Sequence, residues 1–316
     1  MKDGRIVLAQ IEQARMDKLK KTGMLRWNKA ARTYSAPVTL DLLNALAQIF
    51  TLPDCIETER RRLAGVAREL DAQRAAAEPA PLVPYPVRAR MFRHQVRAAN
   101  MALIQLASKP SAGFGLLFEM GCGKTLTAIA IMGALYRQRR ITRVLVAASS
   151  SVCSVWPHDL AAFAAFPYEV RVLLGEKKQR LEALHSLTNY PDTANRLLIA
   201  VINYEATHRE GIFEALEAYA AGLVICDESQ RIKNPKAAQS KAVQMLGDHA
   251  DYRLILSGTP VQNSAIDLYS QYRFLDPSVF GANFYAFRNR YCQMGGYGGH
   301  EVVGFRHMDE LVRKEH

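Results

Sequence analysis

The sequence predicts an α/β fold, in which a parallel sheet lies between helices, and three observations support this prediction. Short apolar runs, such as residues 143–148 and 223–226, alternate with amphipathic stretches between residues 115 and 274. The runs are continuously apolar, as in strands buried on both faces. Three chemically distinctive strings each follow such a run, and parallel sheets carry their functional groups at the carboxyl ends of the strands. We therefore expect one edge of the sheet to carry the functional site.

A small, mostly helical accessory domain is predicted ahead of this sheet. Residues 38–50 predict one helix, with Thr39 as its cap, and residues 54–78 predict a second, charged helix. Residues 79–86, PAPLVPYP, contain four prolines. Because proline denies the backbone a helix, this segment is expected to be a linker or an extended entry segment. The predicted domains are residues 1–78, 79–86 and 87–316.

Basic residues are concentrated near the start of the chain. Lys and Arg number 41 against 30 Asp and Glu, and residues 1–100 contain 18 basic and 10 acidic residues. Such an excess favours a polyanionic partner, most simply nucleic acid. A solvated basic surface that keeps the protein soluble explains the charge alone equally well.

Cysteine usage and hydropathy indicate the compartment. The five cysteines form no CxxC pair, and no apolar run approaches the roughly 18 residues that a membrane span needs. The first residues lack an apolar core of signal-peptide length. We expect a soluble, cytoplasmic protein with reduced thiols and no membrane partner.

Residues 119–125, EMGCGKT, predict a phosphate-binding loop between a strand and a helix. The glycines would bring backbone N–H groups close to phosphate oxygens at a helix N-terminus. Lys124 would pair with the β- and γ-phosphates, and Thr125 would offer its hydroxyl to Mg²⁺. The full G-x-x-x-x-G-K-T pattern fails at Phe118, and a chance Gly-Lys-Thr at a helix start is the alternative. The predicted nucleotide-binding residues of the loop are Gly121, Cys122, Gly123, Lys124 and Thr125.

Residues 223–228, LVICDE, form an apolar run that ends in two carboxylates. We assign Asp227 to hydrated Mg²⁺ and Glu228 to the water that attacks the γ-phosphate. Gln230, in the same motif, is counted with Lys124 and Glu228 as catalytic. An ordinary acidic turn is the alternative, and it loses weight because Lys124 lies 103 residues upstream across alternating strands and helices.

Two further signals complete the pattern. The string SGTP at residues 257–260 ends a third apolar run, and Ser257, Gly258 and Thr259 are expected to couple the acidic site to bound nucleic acid. Gln95 precedes Lys124 by 29 residues, and its amide can both donate to and accept from an adenine edge. A surface helix glutamine is the alternative for Gln95.

Together these motifs resemble the superfamily II motors, and within them the Swi/Snf-type DNA-dependent ATPases. That family combines an entry motif ending in glutamine, an E-M-G-x-G-K-T loop, a D-E-x-H/Q motif followed by K-N, and an S-G-T-P motif followed by Q-N. The resemblance covers about residues 85–316. It implies a RecA-like P-loop NTPase lobe that uses ATP and Mg²⁺ and couples hydrolysis to movement on duplex DNA. The matching positions here are Gln95, 119–125, 227–230, 232–234, 257–260, Gln262 and Asn263.

Weaker similarities to the family concern the residues that contact nucleic acid and the type of organism from which the chain comes. Residues 148–156 look like the family segment that touches the DNA backbone, and residues 203–205 look like a second such segment. They imply nucleic-acid contacts by Ser149, Ser150, Asn203 and Tyr204. Phe118 and Gln230 look more like bacterial or phage members, which implies the cytoplasm of a bacterial or phage-infected cell.

The resemblance also implies a second RecA-like lobe. Family members bind ATP in the cleft between two lobes, whereas 56 residues follow Pro260 in this sequence. We therefore expect the second lobe in cis, from a longer chain, or in trans, from a partner. The leading hypothesis is the first motor lobe of a duplex-DNA translocase or helicase. An RNA-stimulated helicase lobe and a non-catalytic, ATP-gated DNA-binding adaptor are the alternatives.

Overall fold

The computed structural model describes residues 5–9, 11–20, 24–29, 31–109, 112–259, 266–281, 283–296, 298 and 301–315. The chain separates into two compact units, Met1–Ala75 and Ala76–His316. The domain boundary predicted after residue 78 falls close to this division. Pro260, Gln262 and Asn263 of the predicted motifs lie outside the described residues.

The first unit combines a small antiparallel sheet with helices. Its strands are ordered β1-β3-β2, and its core contains apolar residues of β1, β3, α1 and α2. The hydroxyl of Thr39 accepts a hydrogen bond from the backbone N–H of Leu42, which confirms the predicted cap. The three short strands were not predicted, because their residues show no strict alternation. The elements are β1 (Arg5–Leu8), α1 (Gln13–Lys20), β2 (Arg26–Asn28), β3 (Thr33–Pro37), α2 (Leu40–Ala47) and α3 (Asp54–Ala75).

The second unit is built on a six-stranded parallel sheet. Its strands are β4 (Ala112–Leu116), β5 (Arg143–Ala148), β6 (Tyr168–Leu173), β7 (Leu197–Asn203), β8 (Leu223–Asp227) and β9 (Tyr252–Leu256). Their order in the sheet is β4-β9-β8-β5-β7-β6, so β4 lies at one edge and pairs with β9. The last strand in sequence therefore joins the first strand to the rest of the sheet.

Helices cover both faces of this sheet. They are α4 (Arg93–Ser108), α5 (Lys124–Arg137), α6 (Ser150–Cys153), α7 (Val155–Phe163), α8 (Lys177–Thr188), α9 (Ile212–Tyr219), α10 (Ala238–Asp248) and α11 (Ile266–Leu275). The chain continues through α12 (Pro277–Phe280), α13 (Phe284–Tyr291), the antiparallel pair β10 (Cys292–Gly295) and β11 (Glu301–Phe305), and α14 (Met308–Glu315).

The core shows why the strands are continuously apolar. In β5, Val144 and Val146 enter one hydrophobic cluster with residues of α4, α5 and α7. Leu145 and Ala147 enter a second cluster with residues of α8, α9 and α10. Successive side chains of a strand point to opposite faces, so a sheet covered on both sides buries every position. The predicted α/β fold is confirmed.

The proline-rich segment 79–86 has no regular secondary structure and packs within the second unit. Asn100 of α4 ties it down through three hydrogen bonds: its Oδ1 accepts from the Leu82 N–H at 3.0 Å and the Tyr85 hydroxyl at 2.7 Å, and its Nδ2 donates to the Ala80 carbonyl at 2.8 Å. The segment is thus an extended entry to the lobe, the second of the two predicted options.

Among the described residues, none of the helices combines the length and the apolar character that crossing a membrane requires.

Candidate active site

The predicted motifs meet at one edge of the sheet. Strands β4, β9, β8, β5 and β7 are neighbours in that order, and all are parallel. We call the side on which these strands end the carboxyl edge. The motif at the end of each strand is, in the same order, residues 119–125, 257–259, 227–230, 149–150 and 203–204.

The predicted phosphate-binding loop, residues 119–125, contains two glycines in a left-handed conformation, and we call it the phosphate-type loop. Gly121 and Gly123 have φ values of 81° and 78°, which glycine adopts without steric cost. A Cβ at position 123 would also lie 2.1 Å from Nε2 of Gln95, so a larger residue would clash. The ammonium of Lys124 donates to the carbonyl oxygens of Phe118 at 3.2 Å and Glu119 at 3.3 Å. Lys124 thus lies across the loop at the start of α5.

Gln95 supports this loop from α4. It is only 2% exposed; its Nε2 donates to the carbonyl of Cys122 at 3.1 Å, and its Oε1 accepts from the N–H of Phe92 at 2.8 Å. A ring nitrogen of His94 also lies 2.9 Å from the Cys122 carbonyl. An amide has two donor and two acceptor positions, so these contacts do not exhaust Gln95. The supporting contacts are observed, and adenine recognition stays a prediction.

Asp227 is buried and held by an indole. Its Oδ2 accepts from Nε1 of Trp156 at 2.9 Å, and its Oδ1 accepts from the N–H of Glu228 at 3.0 Å. Burial raises the pKa of Asp227 to about 6, which the indole N–H opposes and the nearby Glu228 charge increases. The hydroxyl of Tyr204 donates to the backbone carbonyl of Asp227 at 2.8 Å. Side chain and main chain of Asp227 are therefore both fixed.

A chain of hydrogen bonds joins the second and third motifs. Nε2 of Gln230 donates to Oε2 of Glu228 at 2.8 Å, and the hydroxyl of Ser257 donates to Oε1 of Gln230 at 2.9 Å. The N–H of Thr259 donates to the Ser257 hydroxyl at 3.1 Å. Glu228 has a φ of 52°, a left-handed conformation that is uncommon and costly for a residue with a Cβ.

The third motif also contacts the loop. A Cβ placed on Gly258 would lie 3.2 Å from Cγ of Met120 and 3.6 Å from the ammonium of Lys124. The loop after β4, the acidic end of β8 and the end of β9 therefore form one continuous site, which we call the three-strand site.

The four residues predicted to contact nucleic acid differ in exposure. Ser150 is exposed, and Ser149 is buried at the start of α6. Asn203 accepts from Arg180 and donates to Glu205, both at 2.8 Å. Tyr204 is fully buried in the second hydrophobic cluster. Its ring packs in the core and its hydroxyl bonds the main chain, which is the environment of a packing residue rather than of a surface contact.

Sequence reasoning did not predict the contacts of several residues that hold the site together. Trp156 and Arg180 were not predicted to contact Asp227 and Asn203, and Gln271 of α11 accepts from the Ser229 hydroxyl at 2.6 Å. Trp156 lies in an amphipathic stretch, and nothing in its spacing indicates that its N–H faces an acid. Only the strand order brings these partners together.

The residues present fit a magnesium ion. The carboxylate of Asp227 and the hydroxyl of Thr125 are hard oxygen donors, which Mg²⁺ prefers. Burial raises the pKa of Asp227, so a divalent ion beside it would favour its ionised form. No group of three or more His, Cys, Asp or Glu that could hold a metal occurs in the described part of the chain. Sparse protein ligands are usual where phosphates and water complete the shell of Mg²⁺.

Comparison with known families gives one match across most of the second unit. The model of the SNF2-related domain matches residues 94–297, which include every motif described above. A probable chromatin-remodeling complex ATPase chain of Oryza sativa subsp. japonica is 30% identical over 200 residues, covering 63% of this chain and 17% of that protein. The DNA repair and recombination protein RAD54-like of Gallus gallus is 29% identical over 213 residues, covering 64% and 28%.

A solved structure supports the same relationship. The SWI2/SNF2 ATPase core of Sulfolobus solfataricus in complex with dsDNA superposes with a TM-score of 0.55 at 25% identity, covering 67% of this chain and 41% of that one. The chain thus spans less than half the length of each relative that it matches here. A bacterial or phage origin remains a prediction, since these relatives come from a plant, an animal and an archaeon.

Proposed function

The chain belongs to the family of SNF2-related domains, and on that premise we propose that it is the ATP-binding lobe of a DNA-dependent ATPase. In this proposal ATP hydrolysis is coupled to movement along duplex DNA. The observation that carries it is the three-strand site, where the loop, the acidic pair and the coupling motif are in direct contact.

The loop would bind the phosphates. Backbone N–H groups at the start of α5 and the ammonium of Lys124 would replace the hydration of the β- and γ-phosphates. In the structure that ammonium bonds two loop carbonyls, so anion binding exchanges neutral acceptors for charged ones. Bound Mg²⁺, held by Asp227 and Thr125, would neutralise charge on the phosphate oxygens.

The acidic end would position and deprotonate water. We assign this role to Glu228, because its carboxylate is oriented by Gln230 and is joined through it to Ser257. A shift of β9 or of the segment after it would alter the hydrogen bond from Ser257 and thereby the orientation of Glu228. This gives coupling between nucleic acid and hydrolysis a structural route.

DNA is the proposed polymer. The relative with a solved structure is described as bound to dsDNA, and the chain carries a formal net charge of +11. Exposed Ser150 lies at the carboxyl edge beside the three-strand site. We propose that this part of the edge contacts the DNA backbone, with Ser149 and Asn203 shaping it from beneath.

We also propose that turnover requires a second lobe. An arginine that neutralises the transferring phosphoryl group is worth roughly 10³–10⁵ in rate. Residues 1–316 by themselves should bind ATP and hydrolyse it slowly, and a second lobe fused after His316 or added in trans should restore stimulation by DNA.

Steady-state phosphate release tests the proposal. The 316-residue chain, with and without the second lobe, is assayed with no polymer, duplex DNA or single-stranded RNA, and Lys124→Ala controls for contaminating ATPases. Stimulation by duplex DNA that requires the second lobe is expected. Stronger stimulation by RNA would make it an RNA-stimulated lobe, and ATP-dependent DNA binding without turnover in any combination would make it an adaptor.

A further inference from the structure

An exposed aromatic pair lies on the small sheet of the first unit. Trp27 of β2 is directly opposite Tyr34 of β3, and their ring centroids are 4.7 Å apart. Trp27 is 52% exposed. Ala36 of β3 and its partner Ile6 of β1 share the face of Tyr34 and are buried in the core of this unit. The sheet therefore continues from a packed core to an aromatic surface left open to solvent, although burying an indole stabilises a fold strongly.

Basic residues lie between the members of this pair in the hairpin. Lys29 and Arg32 are exposed, and neither forms an ion pair with another residue in the part of the chain that the structure describes. The ammonium of Lys20 lies 5.5 Å from the centre of the Tyr34 ring and 3.6 Å from the carboxylate of Asp17. Positive charge therefore exceeds negative charge around the two rings.

The turn between β2 and β3 fixes the position of these groups. Oδ1 of Asn28 accepts a hydrogen bond from the N–H of Ala31 at 3.1 Å, and Arg32 adopts a left-handed φ of 49°. Lys29 and Arg32 thus lie on a short, locally bonded turn beside the rings, at the end of a paired strand. A flexible tail would not hold aromatic and basic groups together in this way.

We propose that this aromatic–basic surface, formed by Trp27, Tyr34, Lys29 and Arg32, binds single-stranded or partly unpaired DNA. An unpaired base would stack on Trp27, and the basic side chains would bind the flanking phosphates. Stacking on an aromatic side chain suits any base, whereas the bases of an intact duplex are already stacked on one another. This surface goes beyond the proposed function of the lobe, which requires duplex DNA only.

Binding of a fluorescein-labelled oligo(dT) and of a matched duplex to the full 316-residue chain tests this inference. Trp27→Ala should weaken oligo(dT) binding about 10-fold, the loss of one stacked base. Trp27→Phe, which keeps a ring, should bind oligo(dT) within about threefold of the affinity of the parent. For both variants the affinity for the duplex should change less than about twofold. Val7→Ala is the matched control: Val7 is 47% exposed on the opposite face of the same sheet and should have no effect.

The salt dependence of oligo(dT) binding distinguishes phosphate contacts from base stacking. Lys29→Ala with Arg32→Ala should reduce the salt slope for oligo(dT) by about 0.7 for each phosphate that is no longer neutralised, while Trp27→Ala should leave the slope unchanged. If Trp27→Ala unfolds the unit, tryptophan fluorescence measures stacking instead. The emission of Trp27 is the difference between the parent and Trp27→Phe, and oligo(dT) should quench it.

Unchanged oligo(dT) binding by Trp27→Ala, or equal losses for oligo(dT) and duplex, would overturn the inference and leave the pair a structural feature or a protein-binding surface. ATP hydrolysis stimulated by duplex DNA would be unaffected by either result, so failure here is distinct from failure of the proposed function.

Discussion

The phosphate-type loop and the acidic end of β8 lie on the same edge of one sheet, yet they are held in different ways. In the loop, Met120 is 80% exposed, a Cβ on Gly121 would touch nothing within 4 Å, and Lys124 bonds only loop carbonyls among the hydrogen bonds of the described residues. At the acidic end, Asp227 and Glu228 each accept a hydrogen bond from another side chain. The ammonium of Lys124 is thus held only by its own loop, whereas the carboxylates of the acidic end are oriented by other side chains. Substitutions in the two regions should therefore fail in different steps.

The strongest test of this difference is Glu228→Gln, measured with a second lobe present. The amide cannot accept a proton from water, so turnover should fall by about 10²–10⁴, while ATP affinity stays within a few-fold of the parent. Single-turnover phosphate release and equilibrium nucleotide binding measure the two effects. Normal turnover would move the general base to another residue.

Lys124→Ala should show the opposite pattern. Removing the ammonium should weaken binding of a fluorescent ATP analogue by about 10²-fold, because the variant can no longer form charge-assisted hydrogen bonds to the phosphates. Thermal stability should be unchanged, because the side chain bonds only two carbonyls of its own loop. Lys178→Ala, an exposed lysine on α8, is the control. Parent-like binding would remove the loop from the nucleotide site.

Trp156→Phe addresses the support of the acidic end. Phenylalanine keeps an aromatic ring and removes the N–H that donates a hydrogen bond to Oδ2 of Asp227. Removing such a supporting hydrogen bond typically costs 10–100-fold in metal affinity. We expect the Mg²⁺ concentration for half-maximal nucleotide binding to rise about 10-fold, with little change when Mg²⁺ is saturating. An unchanged Mg²⁺ requirement would show that Asp227 is oriented without the indole.

Ser257→Ala should have the smallest effect and the most specific one. It removes the hydroxyl that donates to Gln230 and accepts from the N–H of Thr259, and it leaves the hydrogen bond between Gln230 and Glu228. Stimulation of ATPase activity by DNA should fall about threefold, because only the hydrogen bond to Gln230 connects Ser257 with the acidic pair. Basal activity and nucleotide affinity should be retained. A loss of basal activity as large as that of Glu228→Gln would mean that Ser257 acts on the chemistry itself.

The sequence predicted where the functional groups lie better than it predicted what they touch. Continuous apolar runs identified strands such as β5 and β8, and the strand-end rule brought Lys124, Glu228 and Ser257 to one edge. Partners depend on which strands are neighbours, and the order β4-β9-β8 is not written in any local pattern. For that reason the bond from Trp156 to Asp227 and the burial of Tyr204 could not be foreseen.

The place of β9 in the sheet has a consequence for synthesis of the chain. β4 carries the loop but pairs with β9, and residues 252–256 leave the ribosome long after residues 112–116. At about 5–20 residues per second, β4 waits roughly 7–28 s for its partner. During that time its backbone donors and acceptors have no strand to pair with, which is a known route to aggregation. Fragments that end before residue 252 should thus be insoluble, although they contain the whole phosphate-type loop and the acidic pair.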